Sequence, residues 1–123
     1  MSEALELVHR LSAAIEAGDL DAARAVYAPD VAVWANFDGR ARDLDAAMRV
    51  LEFLCSSTTV RRYEIVRRIE IDGGVLQQHV LHGTTRTGKE FAMPACLVVA
   101  VADGAITRID EYLDPSPISE AMT

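Results

Sequence analysis

The sequence predicts a single α+β domain in which helices pack on one face of a bent sheet. Apolar residues with helical periodicity dominate the first half of the chain, which contains one strand-like segment. Four further strand-like segments follow, separated by turn signals that contain glycine. Helices followed by a run of strands are typical of α+β domains. A chain of 123 residues can bury one such core, so no second domain is expected.

Three helices are predicted from apolar residues that recur every three or four positions. The first covers residues 3–17 and is stopped by Gly18. The second is capped by Asp19 and ends before Pro29, because the residue before a proline disfavours helical backbone. The third is capped by Asp43 and carries the apolar stripe Leu44, Ala47, Met48, Leu51, Leu54 and Cys55.

The remaining segments show the period of two that strands require. The first strand is predicted at residues 31–37, before the turn Asp38-Gly39. In a strand at 58–71, Arg67 falls on the apolar side, which predicts either a bulge or a charge directed into the core. Three further strands are predicted at residues 75–86, 89–101 and 106–113. The C-terminal segment, residues 115–123, is predicted to be a loose tail.

Composition argues against several classes of function. The net charge of −7 disfavours nucleic acids and anionic membranes as partners. The sequence has no apolar run that could span a bilayer and no secretory leader, so a cytoplasmic protein is expected. Cys55 and Cys96 show no metal-ligand spacing and are expected to be reduced. His79 and His82 are three residues apart and point to opposite faces of a strand, and no glycine-rich phosphate loop is present, so no metal or other cofactor is expected. Without a nucleophile motif, nucleophilic catalysis is not expected either.

The last strand contains the first candidate for a functional residue. Ile109, Glu111 and Leu113 share one face, so a carboxylate interrupts an apolar row. Burying an unpaired charge is costly, and such a position is a candidate for catalysis. Two alternatives remain open. Glu111 could form a structural ion pair with an arginine, or the buried face could be the opposite one, which carries Arg108, Asp110, Tyr112 and Asp114.

Turn chemistry predicts which side chains accompany Glu111. A two-residue turn at Thr87-Gly88 places one set of residues on the inner face of the two strands that it joins: Gln78, Val80, His82, Met93, Ala95 and Leu97. His79 then falls on the outer face. A three-residue loop at 102–104 places Glu111 inside, opposite Ala95. A two-residue turn there would instead direct Asp110 and Tyr112 inward.

Glu111 and His82 are the predicted catalytic pair. They are expected to lie about 10 Å apart, which leaves room for a small substrate between them. The alternative for His82 is a core-edge histidine satisfied by backbone groups. Trp34 and Asn36 are expected at the mouth of the pocket, although a tryptophan can also be plain core. The predicted substrate-binding residues are Trp34, Asn36, Gln78, Val80, Met93, Ala95 and Leu113.

Three segments resemble the nuclear-transport-factor-2-like superfamily: EAGDLDAARAVYAPDVAVW, HGTTRTGKEFAMPACLVVAVADG and DGAITRIDEYLDP. Within it, the sequence is most similar to the SnoaL-like polyketide cyclases, limonene-epoxide hydrolases and ketosteroid isomerases. The resemblance covers nearly the whole chain. It implies a cone-shaped curved antiparallel (mixed) sheet wrapped around an N-terminal helical layer, which encloses an apolar pocket. It also implies a homodimer formed through the outer face of the sheet.

The resemblance to limonene-epoxide hydrolases is only partial at the site. Their pocket Tyr and Asn correspond to Trp34 and Asn36, and the Asp on their last strand corresponds to Glu111. Their Arg-x-Asp corresponds to Gln78 and Val80, so two of the three groups that activate water are absent. The catalytic base of the ketosteroid isomerases likewise meets no residue that can take a proton.

The expected function is proton transfer on a small, apolar, oxygenated molecule without a cofactor. Isomerisation, cyclisation, dehydration and epoxide opening all fit, because a carboxyl among apolar groups can act as general acid or base near neutral pH. The missing family acids support an alternative, a non-catalytic ligand-binding or dimeric assembly module with the same fold. A third possibility is a structural protein whose pocket is filled by its own side chains.

Overall fold

The computed structural model describes residues 2–123. These residues fold around one six-stranded mixed sheet. The strands are β1 (Tyr27–Ala35), β2 (Arg40–Arg42), β3 (Thr58–Ile71), β4 (Gly74–Thr85), β5 (Glu90–Ala102) and β6 (Ala105–Leu113). Their order is β2-β1-β6-β5-β4-β3; β1 and β6 are parallel, and the other neighbours are antiparallel. The helices are α1 (Glu3–Ala17), α2 (Leu20–Ala25), α3 (Leu44–Ser57) and α4 (Ser116–Ala121). The α+β fold predicted from the sequence is confirmed, as an open sheet with helices.

The helices begin at the caps that the sequence offers. The carboxylates of Asp19 and Asp43 accept hydrogen bonds from the backbone N–H groups of Ala22 and Ala46, at 3.1 and 2.9 Å. Gly18 ends α1 in the left-handed conformation with φ 71°. These local signals are why the first and third helices lie where they were predicted. None of the helices in residues 2–123 has the length and apolar character needed to cross a membrane.

Two predicted boundaries are wrong. The first strand begins at Tyr27 rather than at residue 31 and ends at Ala35. Pro29 is tolerated within it because the pairing with β6 shifts between Tyr27 and Ala32. The segment 115–123 is not a loose tail, because it forms α4, whose Ile118 and Ala121 pack against a small apolar cluster.

The core lies between α1, α3 and the inner face of the sheet. Its most deeply buried members come from both layers and include Val8, Val26, Val75, Val99, Ile106 and Ile109. A second cluster of Leu81, Phe91, Met93 and Ala121 lies under α4. The helices cover the inner face of the sheet. Because successive residues of a strand point to opposite faces, the register of each strand decides which polar residues are on that inner face.

A bulge sets the parity of β3. Ile65 pairs with His79 and Arg67 pairs with Gln78, so Val66 is the extra residue. The bulge alternative for Arg67 is therefore confirmed, and Arg67 is exposed. The bulge instead brings Arg68 opposite Gln77, on the inner side.

The β4–β5 hairpin has a longer loop than predicted. The N–H of Thr85 donates to the carbonyl of Lys89 at 2.8 Å, and Gly88 adopts φ 90° between them. Leu81 therefore lies opposite Met93 and His79 opposite Ala95. Slipping the register by one residue exchanges the two faces of β4. The predicted inward placement of Gln78, Val80 and His82 is wrong for this reason.

The β5–β6 hairpin reaches the predicted orientation by a different route. Asp103 and Gly104 both have positive φ, 52° and 77°, and form a two-residue turn rather than the predicted three-residue loop. A register shift between Ala100 and Val101 then adds one residue on the β6 side. The two changes together leave Glu111 on the inner face, opposite Leu97 rather than Ala95.

Candidate functional site

Glu111 lies in a row of inward-facing residues that crosses four strands. The row runs from Ala35 on β1 through Glu111 on β6 and Leu97 on β5 to Gln77 on β4. The neighbouring row towards the end of β6 contains Leu113, Ala95 and His79. The interior of the sheet therefore combines one carboxyl, one amide and one imidazole with small and aliphatic side chains.

The carboxyl of Glu111 has no hydrogen-bond or ion-pair partner among residues 2–123. Burial raises its pKa to about 7, and the positive charge of Arg42 opposes that rise in part. The residue nevertheless keeps some accessible surface, and every sealed side-chain N or O atom in the described residues has a partner. The unpaired carboxyl oxygens are therefore in part accessible from outside, and the space beside them on the inner face is called the recess below.

Two tyrosines lie near this carboxyl. Burial, and next the negative charge of Glu111, raises the pKa of both Tyr27 and Tyr63. Both phenols are therefore protonated at neutral pH and can donate a hydrogen bond. Tyr27 comes from the start of β1 and Tyr63 from β3, so the two side chains reach the neighbourhood of Glu111 from different strands.

A chain of hydrogen bonds lines the inner side of β3 and β4. Arg68 donates from Nε to Oε1 of Gln77 at 2.7 Å and from a terminal nitrogen to Oγ of Ser12 at 3.3 Å. The amide nitrogen of Gln77 lies 2.9 Å from Nδ1 of His79. The ring of Tyr63 packs edge-on against His79, with ring centroids 4.8 Å apart. Burial, and next the charge of Arg68, lowers the pKa of His79 to about 4, so this imidazole is neutral at neutral pH.

Arg42 lies at the rim of the recess on β2. Its partner across the strands is Val33, which in turn pairs with Ile109 on the inner face. Its guanidinium donates to a carboxylate oxygen of Asp38 at 2.6 Å and stacks over Phe37 at 5.8 Å from the ring centroid. This pairing with Asp38 explains why the predicted alternative of an arginine ion pair at Glu111 is not observed.

The sequence matches the family model described as a SnoaL-like domain over residues 8–109. The chain belongs to the SnoaL-like family. The match ends two residues before Glu111, so the carboxyl of the candidate site lies outside the matched segment. No functionally curated protein matches the sequence.

Solved structures support the same fold. An LEH-like epoxide hydrolase of M. tuberculosis is 20% identical, with a TM-score of 0.80 over 98% of this chain and 89% of its own. An NTF2-like protein of Burkholderia thailandensis is 22% identical, with a TM-score of 0.79 over 100% and 99%. A hypothetical protein from Catenulispora acidiphila with a ketosteroid isomerase-like fold is 16% identical, with a TM-score of 0.79 over 95% and 92%. At these identities the likeness shows the fold and not the activity.

Several predicted site residues lie on the outer face of this SnoaL-like domain. Nε2 of His82 contacts a carboxylate oxygen of Glu64 at 2.7 Å, and Gln78 is exposed. Val80 shares their side of β4. Trp34 pairs with Asp110 and packs edge-on against Tyr112, with centroids 5.5 Å apart. The three β4 residues lie outside because the β4–β5 hairpin loop is longer than predicted. Trp34 lies outside because it follows Val33, which faces inward, and successive residues of a strand point to opposite faces.

The other predicted residues lie on or beside the inner face. Met93 and Ala95 are buried there, and Leu113 is half-buried. Asn36 is exposed and continues the pairing of β1 with β6 beyond the end of the strand. Its N–H donates to the carbonyl of Glu111 at 3.0 Å, and its Oδ1 accepts from the N–H of Leu113 at 2.8 Å. Asn36 therefore fixes the backbone on both sides of residue 112, and its amide oxygen is already used.

The opposite face of β6 is not the buried one. Arg108 donates to Asp110 at 2.9 Å, and Tyr112 is 48% exposed. Two open grooves lie elsewhere on the molecule. One, of about 500 Å³, is bordered by Arg62, His82 and Glu90, and the other, of about 480 Å³, lies beside α4. Neither is lined by Glu111, whose unpaired carboxyl on the inner face marks the candidate site.

The site residues predicted from the sequence did not include Gln77, His79, Tyr27 and Tyr63. Gln77 and His79 are two residues apart and so share a face of a strand, a spacing that was visible in the sequence. The predicted register assigned that face to the outside. Tyr27 was assigned to a helix, and its position in β1 depends on pairing with a strand almost 80 residues later.

Proposed function

We propose that the protein is a cofactor-independent enzyme that transfers protons on a small, apolar, oxygenated molecule, with Glu111 as general acid and base. One observation carries the proposal: an unpaired carboxyl on the inner face of a SnoaL-like fold opens onto a recess, and burial raises its pKa to about 7. A group whose pKa lies near the working pH is present in both forms and can accept and return a proton in one cycle.

The surroundings of Glu111 suit a substrate with one polar end. Leu97 and Leu113 flank the carboxyl on the neighbouring positions of the inner face, and Met93 lies beyond them. The hydroxyls of Tyr27 and Tyr63 are protonated donors that could stabilise charge developing on a substrate oxygen. Isomerisation, cyclisation by an aldol-type step and dehydration all need this combination of a base and an oxygen ligand.

A proton-exchange experiment tests the proposal without knowledge of the natural substrate. The probe is 2-cyclohexenone in D₂O, and proton NMR follows exchange of the C–H protons beside its carbonyl. We expect the protein to accelerate exchange and Glu111→Gln to reduce the acceleration by about 100-fold, the usual contribution of a general base. Asp110→Asn, which alters the next residue on the outer face, is the matched control. Equal exchange by wild-type protein and Glu111→Gln would remove Glu111 from the mechanism.

We also propose that the protein forms a homodimer through the outer face of the sheet. Val60, Ile69 and Tyr112 expose 52%, 44% and 48% of their surface there, and the same face carries side chains of both charges. Sedimentation velocity tests this arrangement. We expect a dimer that Tyr112→Glu dissociates and that Phe53→Glu, on the exposed side of α3, leaves intact; a wild-type monomer would contradict it.

A further inference from the structure

The protonation state of His79 follows from the hydrogen bonds behind it. An arginine nitrogen can only donate, so the atom of Gln77 that faces Arg68 at 2.7 Å must be its oxygen. The other end of that amide, which faces Nδ1 of His79 at 2.9 Å, must then be the NH₂ donor. Nδ1 therefore accepts, and the single proton of the neutral imidazole is on Nε2. Arg68 and Gln77 act as positioning residues for this tautomer.

The Nε2–H of His79 has no partner among residues 2–123, although the residue is only 5% exposed. Since every sealed side-chain N or O atom in the described residues has a partner, Nε2 must reach accessible space. His79 is on the inner face, so that space lies on the same side of the sheet as Glu111. A buried donor that is held in one orientation and left unpaired is suited to bind an acceptor from outside the chain.

The position of His79 relative to Glu111 limits what the acceptor belongs to. The two residues lie on β4 and β6, with β5 between them, which corresponds to about 10 Å across the strands. Glu111 is two residues from Leu113, the position that shares a row with His79. A molecule of about one or two rings could therefore contact both groups while its apolar body packs on Leu97 and Ala95.

We propose that the Nε2–H of His79 binds a carbonyl oxygen of the substrate, which makes the substrate a ketone or enone that exchanges a proton at Glu111. This proposal rests on the function proposed for Glu111. A neutral donor matches a neutral acceptor, whereas an anionic substrate would be repelled by the ionised carboxylate. When Glu111 removes a proton from carbon, the electron pair moves onto the carbonyl oxygen, and the N–H at that oxygen stabilises the enolate. The reverse step returns the proton to carbon.

The first test needs no ligand. In protein labelled with ¹⁵N-histidine, the ring nitrogens of His79 should show a neutral imidazole protonated at Nε2 at about pH 7. Gln77→Glu places a carboxylate beside Nδ1, which should draw a proton onto that nitrogen and change the ¹⁵N pattern of His79. A charged ring, or a proton on Nδ1 in the wild-type protein, would overturn the proposal.

The second test uses 2-cyclohexenone labelled with ¹³C at the carbonyl. The carbonyl resonance should move downfield on binding to the wild-type protein, because a hydrogen bond polarises the C=O group. His79→Phe should lose that shift and slow proton exchange roughly 100-fold. His79→Gln, which can present an N–H near the same place, should recover part of both. His82→Phe, three residues along the same strand but on the outer face, is the matched control.

The outcomes separate this proposal from the one on which it rests. Glu111→Gln should slow exchange about 100-fold and keep the carbonyl shift, whereas the His79 variants should alter the shift itself. No shift with wild-type protein, or the same shift with His79→Phe, contradicts the carbonyl site. Exchange that is as fast with Glu111→Gln as with wild-type protein contradicts the role of the carboxyl instead. Amide NMR spectra show whether His79→Phe is folded; if it is not, the comparison of wild type with His79→Gln decides.

Discussion

Two neighbouring ionic groups determine how Glu111 behaves. Arg42 is close enough to lower the pKa of Glu111, yet its guanidinium hydrogen bonds to Asp38 at 2.6 Å. Asp38 itself has a lowered pKa, first because it accepts from the backbone N–H of Arg40 and next because it pairs with Arg42. Asp38 thus holds the positive charge at the rim and leaves Glu111 without a counter-ion.

Replacing Asp38 should therefore lower the pKa of Glu111. In Asp38→Asn, Arg42 loses its charged partner and can turn towards the carboxyl of Glu111, whose pKa it already lowers in part. We expect the pKa of Glu111 to fall clearly below about 7, and the low-pH limit of exchange activity to move in the same direction. Carboxyl ¹³C NMR measures this pKa. Asp45→Asn, which breaks an exposed ion pair with Arg24, should leave it unchanged.

At the scale of single elements, the capping residues predicted helix ends correctly, whereas the lengths of two hairpin loops were predicted wrongly. Asp19, Asp43 and Gly18 act within one turn of their own helix, so the sequence carries the whole signal. The residues Thr87-Gly88 are compatible with loops that differ by one residue, and that one residue decides whether His79 or His82 is inside. The choice between the two loop lengths depends on how β4 packs on the helices. A local sequence pattern does not contain that information.

The junction of helices and sheet depends on Arg61. Its Nε donates to the carbonyl of Ile15 at 2.8 Å near the end of α1. A terminal nitrogen donates to Oγ1 of Thr58 at 2.6 Å and to the carbonyl of Cys55 at 3.4 Å, where α3 passes into β3. One side chain therefore satisfies the free carbonyl groups of two helix ends.

Removing this guanidinium should loosen both helix ends. Arg61→Met keeps most of the aliphatic stem and removes the guanidinium hydrogen bonds to both helix ends, which should lower the free energy of unfolding by about 2 kcal/mol. Arg62→Met, at the next and exposed position, should change it by less than about 0.5 kcal/mol. Urea unfolding followed by circular dichroism measures both. Equal stability of the two variants would show that Arg61 does not hold the helix ends.

For the whole molecule, the sequence predicted the architecture better than the site. Periodicity and turn residues were enough for an α+β domain, and the family match confirms the resemblance to SnoaL-like proteins. Met93 and Ala95 lie inside because the apolar face of β5 is plain in the sequence, whereas Glu111 and Leu113 lie inside because two errors of loop and bulge cancelled in β6. The polar residues of β4 were predicted on the wrong faces because no second error offset the wrong loop length there. A site assembled from five strands therefore needs every register to be right at once.

Glu111 and His79 give the stability of the whole fold two opposed dependences on pH. Burial raises the pKa of Glu111 from 4.5 to about 7, so the unfolded chain loses this proton first and stability falls as pH rises through that window. Burial lowers the pKa of His79 from 6.5 to about 4, so the unfolded chain gains this proton first and stability falls as pH drops through that window. Each effect amounts to at most about 3 kcal/mol.

Because the windows overlap, the wild-type protein should show nearly constant stability from pH 4.5 to 6.5. Each single variant should uncover the slope of the group that remains. Glu111→Gln should gain stability as pH rises from about 4 to 6.5, and His79→Phe should lose stability as pH rises from 4.5 to about 7. Urea unfolding across this range measures both slopes. Parallel profiles for the two variants would mean that at least one of these groups titrates normally and does not face the recess.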